Sequence, residues 1–293
     1  MYKAQPRDIL LKTPSQEVEF IFYGDEHWSA RACQKERLHD LLSTDHSNRY
    51  YCGMGDHLNL LPHTDKRFRT TEIDPMFLDG NVIDNEVEHY LQTWKKYKID
   101  PARHLGMLEG NHTVSVTSFG MNPIAYLCAQ LKVPHLAEYS AVLPIRFRLR
   151  NYNDSFRLLT IRIHHGWGGT NAYYDGSQIN KFTNHALRYQ NWDISVYAHV
   201  HGFWTIPVIL MDCESKPRYV EEKTCIVACS GTFLKTLDKE TDKVKGATYS
   251  ERKGYSPRVL SWQSIRVKLG KTQREGGGKD NRTYVFKYPG IIP

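Results

Sequence analysis

Apolar positions along the chain recur with two periods. In VEFIFYG (18–24) and RYYCGMG (49–55), short aromatic-rich runs end at glycine and predict buried strands. Between them, ARACQKERLHDLL (30–42) places Ala32, Leu38, Leu41 and Leu42 at helical spacing. Strand, helix and strand in this order predict a βαβ unit. A second helix is predicted over NEVEHYLQTWKKY (85–97), where Val87, Leu91 and Trp94 share a face. A short strand at HLGML (104–108) and a helix at PIAYLCAQL (123–131) follow. Beyond residue 139 the runs lengthen without intervening helices: AVLPIRFRLR (141–150), FRLLTIRIH (156–164), ISVYAHV (194–200), TIPVILM (205–211) and KTCIVAC (223–229) predict an antiparallel or mixed second half. The expected fold class is α/β with α+β character, two packed sheets with helices outside. A single domain over 1–293 is expected, because no Pro/Ser/Gly-rich linker divides the chain.

With 293 residues, 40% hydrophobic and 24% charged, the chain can bury a sizeable core, which excludes a disordered or collagen-like architecture. No run approaches the roughly 18 to 20 apolar residues that span a bilayer. The N-terminus lacks the basic flank, apolar run and small-residue site of an export signal, so a cytoplasmic protein without membrane contact is expected. Six cysteines in such a chain read as reduced thiols, and Cys225 and Cys229 within CIVAC read as part of a buried strand. The formal charge of +7 is carried by the basic C-terminal portion, 203–293 of the same domain, which suits either a polyanionic partner or a solvated face.

Histidine placement changes the picture. Several of the 14 His lie just beyond predicted strand ends, beside Gly and together with Asp and Asn: GDEH (24–27), GDHLN (55–59), GNH (110–112), HHG (164–166) and HVHG (199–202). Asp25 and His27 lie two apart, so a chain that stays extended points both to one side; His199 and His201 repeat that spacing. Asp56 has two oxygens and can bridge two ions, Asn111 offers a carbonyl oxygen, and His164 or His165 adds a nitrogen. This mixed N/O set suits borderline divalent metals. Burying so many polar side chains together is costly unless something satisfies them.

The ordered set resembles the pattern of the calcineurin-like metallophosphoesterases, namely D-x-H, GD-x-x-D/N, GNH-D/E, a later H and then GH-x-H, across residues 24–202. The resemblance implies a four-layer αββα sandwich, two mixed sheets flanked by helices, with a dinuclear metal site at its rim. It implies one metal on Asp25, His27, Asp56 and His201, and another on Asp56, Asn111, His164 and His199. His164 is preferred to His165 because family members carry the ligand as the first residue of H-x-P or H-x-G. Three positions depart from the pattern: Ala198 stands for the usual Gly, Thr113 for the acidic residue after GNH, and Asn59 where some members place an Asp that pairs with the GNH histidine. An Asn supplies no charge to an imidazolium, so His112 is expected to position phosphate more than to donate a proton.

The expected activity is metal-dependent phosphoester hydrolysis by a hydroxide formed between two cations, with Asp56 and His112 as catalytic residues and no covalent intermediate. Mn²⁺ is the metal the resemblance implies first, with Fe²⁺, Ni²⁺ or Zn²⁺ also compatible with the ligands. A phosphodiester, DNA or RNA, is the favoured substrate, on the grounds of basic charge and of aromatic residues between metal motifs. The alternatives are a phosphomonoesterase with the same site and a non-catalytic interaction module. Three rim segments are candidates for substrate contact: 57–77 with Lys66, Arg67 and Arg69; 166–192 with Tyr173, Tyr174, Tyr189 and Trp192; and 230–262 with Lys235, Lys239, Lys243, Lys245, Arg252, Lys253 and Arg258.

Overall fold

A computed structural model describes residues 3–4, 6–65, 68–117, 120–136, 139–149, 156–168, 174–213, 220–236, 250, 254–270 and 284–287. Lys66, Arg67, Tyr173, Lys239, Lys243, Lys245, Arg252 and Lys253 lie outside the described residues.

Two N-terminal strands, β1 (Lys3–Ala4) and β2 (Arg7–Leu11), precede β3 (Val18–Tyr23), α1 (Lys35–Ser43), β4 (Arg49–Gly53), α2 (Val82–Tyr97) and β5 (His104–Met107). The strands β3, β4 and β5 are parallel neighbours, joined by α1 and α2 as crossovers. After α3 (Asn111–Thr117) and α4 (Pro123–Leu131) come β6 (Ser140–Leu149), β7 (Phe156–His164), α5 (Asp175–Leu187), β8 (Ile194–Tyr197), β9 (Phe203–Cys213), β10 (Val220–Ser230), β11 (Gln263–Leu269) and β12 (Tyr284–Lys287). They form two mixed sheets. One is five-stranded, β12-β11-β3-β4-β5; the other is seven-stranded, β1-β6-β7-β8-β10-β9 with β2 also on β6.

Alternation along the strands sorts the apolar side chains into three layers. Phe20, Phe22, Cys52 and Ile265 of one sheet meet Leu143, Ile145, Ile161, Ile163, Val196 and Ile226 of the other in the central core. The opposite face of the five-stranded sheet, with Ile21, Tyr23 and Tyr51, is covered by Leu38 and Leu41 of α1, Tyr90, Leu91 and Trp94 of α2, and Leu127 of α4. On the far side of the seven-stranded sheet, Phe182 and Ala186 of α5 pack on Tyr197, Val227 and Cys229. Cys33, Cys52, Cys128, Cys225 and Cys229 are buried thiols. No described helix is long and apolar enough to cross a membrane.

Two expectations need correction. The first helix starts at Lys35, because Ala30 and Cys33 are captured by bridges to Ile73 and Leu234. The second half does contain a helix between strands, α5. Its buried face consists of Gln178, Phe182 and Ala186, so one position of the stripe is polar and the apolar period is weak.

Glu19 ties the five-stranded sheet together. Its carboxylate accepts from Arg49 Nε of β4 at 2.7 Å, Ser264 Oγ of β11 at 2.7 Å and Arg266 Nε at 3.3 Å. Burial alone would raise this carboxyl, but the Ser264 and Arg49 hydrogen bonds and the two guanidinium charges outweigh it and hold the pKa at about 2. A depressed folded-state pKa stabilises the protein above the unfolded value and is lost as pH falls toward the folded one. Glu19→Gln should therefore cost roughly 3 kcal/mol at neutral pH, since the buried Arg49 loses its carboxylate partner and keeps neutral acceptors at Leu41 and Thr44. It should also flatten the loss of stability between the ordinary value of 4.5 and about 2. Urea midpoints over a pH series check this, and an acid limb as steep as wild type would clear Glu19 of the role.

Candidate metal centre

The C-terminal ends of five strands reach one rim, the position where α/β sheets gather ligands. β3 runs into Asp25 and His27, β4 into Asp56, β5 into Asn111 and His112, β7 into His165, and β8 into His199 and His201. Three groups of these side chains offer ligand atoms within 4.8 Å of one another: Asp25, His27 and His201; His27, Asp56 and His112; Asp56, His165 and His199. The residues are buried or half-buried. This arrangement can hold a metal ion.

The loops reach the site by left-handed turns rather than by the extended chain expected for D-x-H and H-x-H. Asp25 (φ 53°), His27 (47°), Asp56 (49°), His199 (71°) and His201 (54°) all have positive φ. Each such L-residue costs on the order of 1 kcal/mol, and strain of this kind collects at functional sites. The turns are zipped to each other by Asp25 N to Gly55 O at 3.0 Å and His27 N to Asp56 O at 3.0 Å. Gly110 is needed for close approach: a Cβ there would lie 2.0 Å from Asp56 Oδ1. Gly55 has φ 97°, and a Cβ on it would meet His165 Nδ1 at 2.6 Å.

Hydrogen bonds fix which atoms face the centre. His165 Nδ1 lies 2.8 Å from Met54 O. A carbonyl only accepts, so Nδ1 carries a proton, and Nε2 is the nitrogen that faces the centre and whose lone pair a metal ion could take in place of a proton. That Nε2 lies 3.3 Å from Asp56 Oδ2, from Asn111 Oδ1 and from His199 Nδ1. Asp25 Oδ2 accepts from His199 N at 2.7 Å. Asp25 Oδ1 is buried with no hydrogen-bond partner, and its ionic neighbour His201 Nε2 is 3.8 Å away. A buried carboxylate oxygen without a donor is costly unless a cation meets it. The donor set of carboxylate oxygens, an amide oxygen and imidazole nitrogens, with no thiolate, therefore fits a borderline divalent metal.

Protonation divides the residues: against burial, the Asp56 and Asp25 carboxylates and the Met54 carbonyl raise His165 to about 9, whereas the imidazoles of His27, His199 and His201 are lowered. Burial, with Asp56 and Glu26 nearby, pushes the Asp25 carboxyl well above the carboxylate range. Burial and neighbouring imidazoles hold His27 well below its ordinary value, His201 at about 3 and His199 at about 4, so these rings stay neutral and able to bind metal. Burial opposes charge on Asp56 too, yet His165, His112 and His27 draw its carboxyl well below the ordinary range.

His164, the preferred ligand from sequence, is turned away. Ile161 and Ile163 point into the central core and His165 follows in the same phase, whereas His164 shares the opposite face with Arg162. Its ring packs against Trp167, His185 and Tyr197, with centroids 5.2, 5.5 and 6.1 Å away, and its Nδ1 accepts from Gly166 N at 2.7 Å. The other predicted residues, Asp25, His27, Asp56, Asn111, His112, His199 and His201, do meet at the centre. His112 Nδ1 lies 2.5 Å from the main-chain oxygen of Asn59, not from its side chain. In the aromatic segment, Trp192 is buried and Tyr189 lies under the Arg162 guanidinium at 3.5 Å, so both belong to the packing around α5; Trp167 and Tyr174 are exposed. Lys181 Nζ donates to Trp167 O and Gly168 O at 2.8 and 3.0 Å, and a Cβ on Gly168 would be 3.2 Å from His199 Nε2, which sets this cation beside the site.

Compared with known proteins, the chain matches no family model, and no curated protein matches it.

The assignment of His165 is testable by calorimetric titration with Mn²⁺. His165→Ala should weaken binding by roughly 10- to 100-fold or more, at least as much as loss of a group that only supports a ligand, while His164→Ala should bind like wild type. The reverse order would restore His164 as the ligand.

Proposed function

We propose that this chain is a metal-dependent phosphoester hydrolase of the calcineurin-like metallophosphoesterase type, built on a four-layer αββα sandwich. The observation that carries the reading is the convergence of Asp25, His27, Asp56, His165, His199 and His201 from separate strand ends around the partnerless Asp25 Oδ1. Helices outside two face-to-face sheets support the layered architecture. Asp25, His27 and His201, with Asp56, would hold one cation; Asp56, His165 and His199, with Asn111, would hold a second. Held there, divalent cations, Mn²⁺ first, would supply charge neutralisation for phosphoryl oxygens and a more acidic water.

The protein's own groups do the remaining work. His112 N donates to Asp56 Oδ1 at 3.0 Å, so the Asp56 carboxylate and the His112 main chain are held as one unit. Because His112 Nδ1 donates to a carbonyl, Nε2 is the nitrogen that faces the phosphate. As water oxygen bonds to phosphorus and the ester P–O bond breaks, His112 Nε2 would hold the phosphate in line, and the departing oxygen would take up a proton from solvent. A phosphodiester, DNA or RNA, is the proposed substrate. The net charge of +7, Lys181 beside His199 and the exposed Trp167 and Tyr174 support it, and the buried Trp192 and stacked Tyr189 no longer count toward it.

Mn²⁺-loaded protein should hydrolyse end-labelled DNA and diester model compounds, with cutting suppressed by salt. Asp56→Ala should lower turnover by roughly 10³-fold or more, the rate equivalent of several kcal/mol of metal-derived stabilisation. His112→Ala should lower it by about 10²-fold with metal content unchanged. Monoester turnover with intact DNA would make the protein a phosphomonoesterase, and no metal-dependent turnover of any of these compounds would defeat the reading.

A further inference from the structure

Helix α2 buries a carboxylate that the chemistry above does not use. Glu86 is fully buried, and its pairing is with main-chain amides of the two loops that carry site residues: Oε1 accepts from Ser29 N at 2.7 Å and Asn59 N at 2.5 Å, and Oε2 accepts from Leu60 N at 3.1 Å. Leu60 itself is held at φ 45°, a left-handed turn that an unbranched-at-Cβ side chain tolerates at a cost and that the carboxylate offsets.

The N–H of Leu60 and the C=O of Asn59 belong to one peptide group. A planar trans peptide points its N–H and C=O in opposite directions, so whatever grips the one aims the other. Glu86 grips the N–H, and the C=O accepts from His112 Nδ1 at 2.5 Å. The carboxylate also polarises the peptide, which makes its oxygen a stronger acceptor. Asn59 stands where an acidic side chain pairing with His112 is found in the resembling pattern, and here the negative group is one peptide further back.

Resting on the proposed hydrolase reading, we infer that Glu86 is a positioning residue for His112, acting through the Leu60–Asn59 peptide group to hold Nδ1 protonated and Nε2 toward the substrate. Gln at position 86 keeps the shape and one acceptor oxygen for Ser29 and Asn59, but sets an NH₂ against the Leu60 N–H, so the peptide must turn.

The test compares wild type, Glu86→Gln and His112→Ala by proton NMR with ¹⁵N-labelled histidine and by steady-state kinetics with Mn²⁺. The hydrogen-bonded His112 Nδ1–H should give a downfield resonance that is missing in His112→Ala and is lost or shifted upfield in Glu86→Gln. The latter should also lose about 10- to 100-fold in kcat, the usual effect of removing a supporting partner, with KM and metal content within two-fold of wild type. A Glu86→Gln protein with the wild-type resonance and kcat overturns the inference while leaving the hydrolase reading intact. A wild-type protein that hydrolyses no phosphoester, yet shows the resonance responding to Glu86→Gln, defeats the activity reading and upholds the positioning. Should Glu86→Gln not fold, couplings across the hydrogen bonds in wild type decide: Leu60 N to the Glu86 carboxylate carbon and His112 Nδ1 to the Asn59 carbonyl carbon. Absence of both overturns the inference.

Discussion

Two carboxylates, Asp25 and Asp56, are buried where the rims of two sheets meet, and one of their oxygens, Asp25 Oδ1, has no hydrogen-bond partner among the described residues. Most features around the rim follow from accommodating that charge. Imidazoles of His27, His165, His199 and His201 stand within ligand distance, and burial keeps three of them neutral, able to give lone pairs to a cation but poor at neutralising a carboxylate by themselves. The fourth, His165, is raised to about 9 despite burial, beside Asp56, and offsets that carboxylate, which leaves Asp25 Oδ1 without a hydrogen-bond partner in a cluster that could hold a metal ion.

Holding such a site open requires loops that do not relax. Five of the converging residues sit in left-handed backbone, so unrestrained turns would move toward commoner conformations and disperse them. Restraint comes from hydrogen bonds of two kinds. Adjacent turns bond to each other through Asp25 N, His27 N and Trp28 N. Behind them, residues adjoining Asp25 and Asp56 form a fully buried brace with α2: Glu26 accepts from His57 Nδ1 at 2.9 Å and from Tyr90 Oη at 3.0 Å. Glu26 and His57 are neighbours of Asp25 and Asp56 in sequence, so each loop turns one polar side chain to the centre and the next to the brace.

The convergence of six of the seven residues expected as ligands was legible because Asp, Asn or His directly after a strand and beside glycine marks where the chain leaves the sheet. His164 and His165 were not separable, since either can end β7; strand phase decides, and that phase is set by Ile161 and Ile163 against the central core. The turn geometry was hidden for a related reason. Two residues spaced by one suggest an extended chain, whereas Asp25 and His27 are brought together by left-handed φ values that no side chain in the motif announces. Helix α5 was missed because Gln178 occupies its buried stripe, bonding through its side chain to Val200 O and Trp204 Nε1. Glu86 falls four residues before Tyr90 and eight before Trp94, so its place on the buried face of α2 is readable, but its partners are main-chain amides, which have no signature in a sequence.

The two sheets contribute differently to the centre, and that difference explains why the braces lie on one side. Loops of the five-stranded sheet supply both carboxylates, Asn111 and His112, and they are backed by Glu26, His57, Tyr90 and Glu86 under α2. Loops of the seven-stranded sheet supply imidazoles only, steadied largely by main chain: His165 N donates to Tyr139 O, Ala198 N to His165 O, and His199 N to Asp25 Oδ2. The last of these bonds, with His165 Nδ1 to Met54 O, crosses from one sheet to the other. The rim is thereby closed by polar contacts where the apolar core between the sheets ends. Separating the sheets there would expose hydrophobic surface and break the contacts that orient Asp25 and His165 in the same motion, so the geometry of the centre is coupled to the packing of the whole molecule.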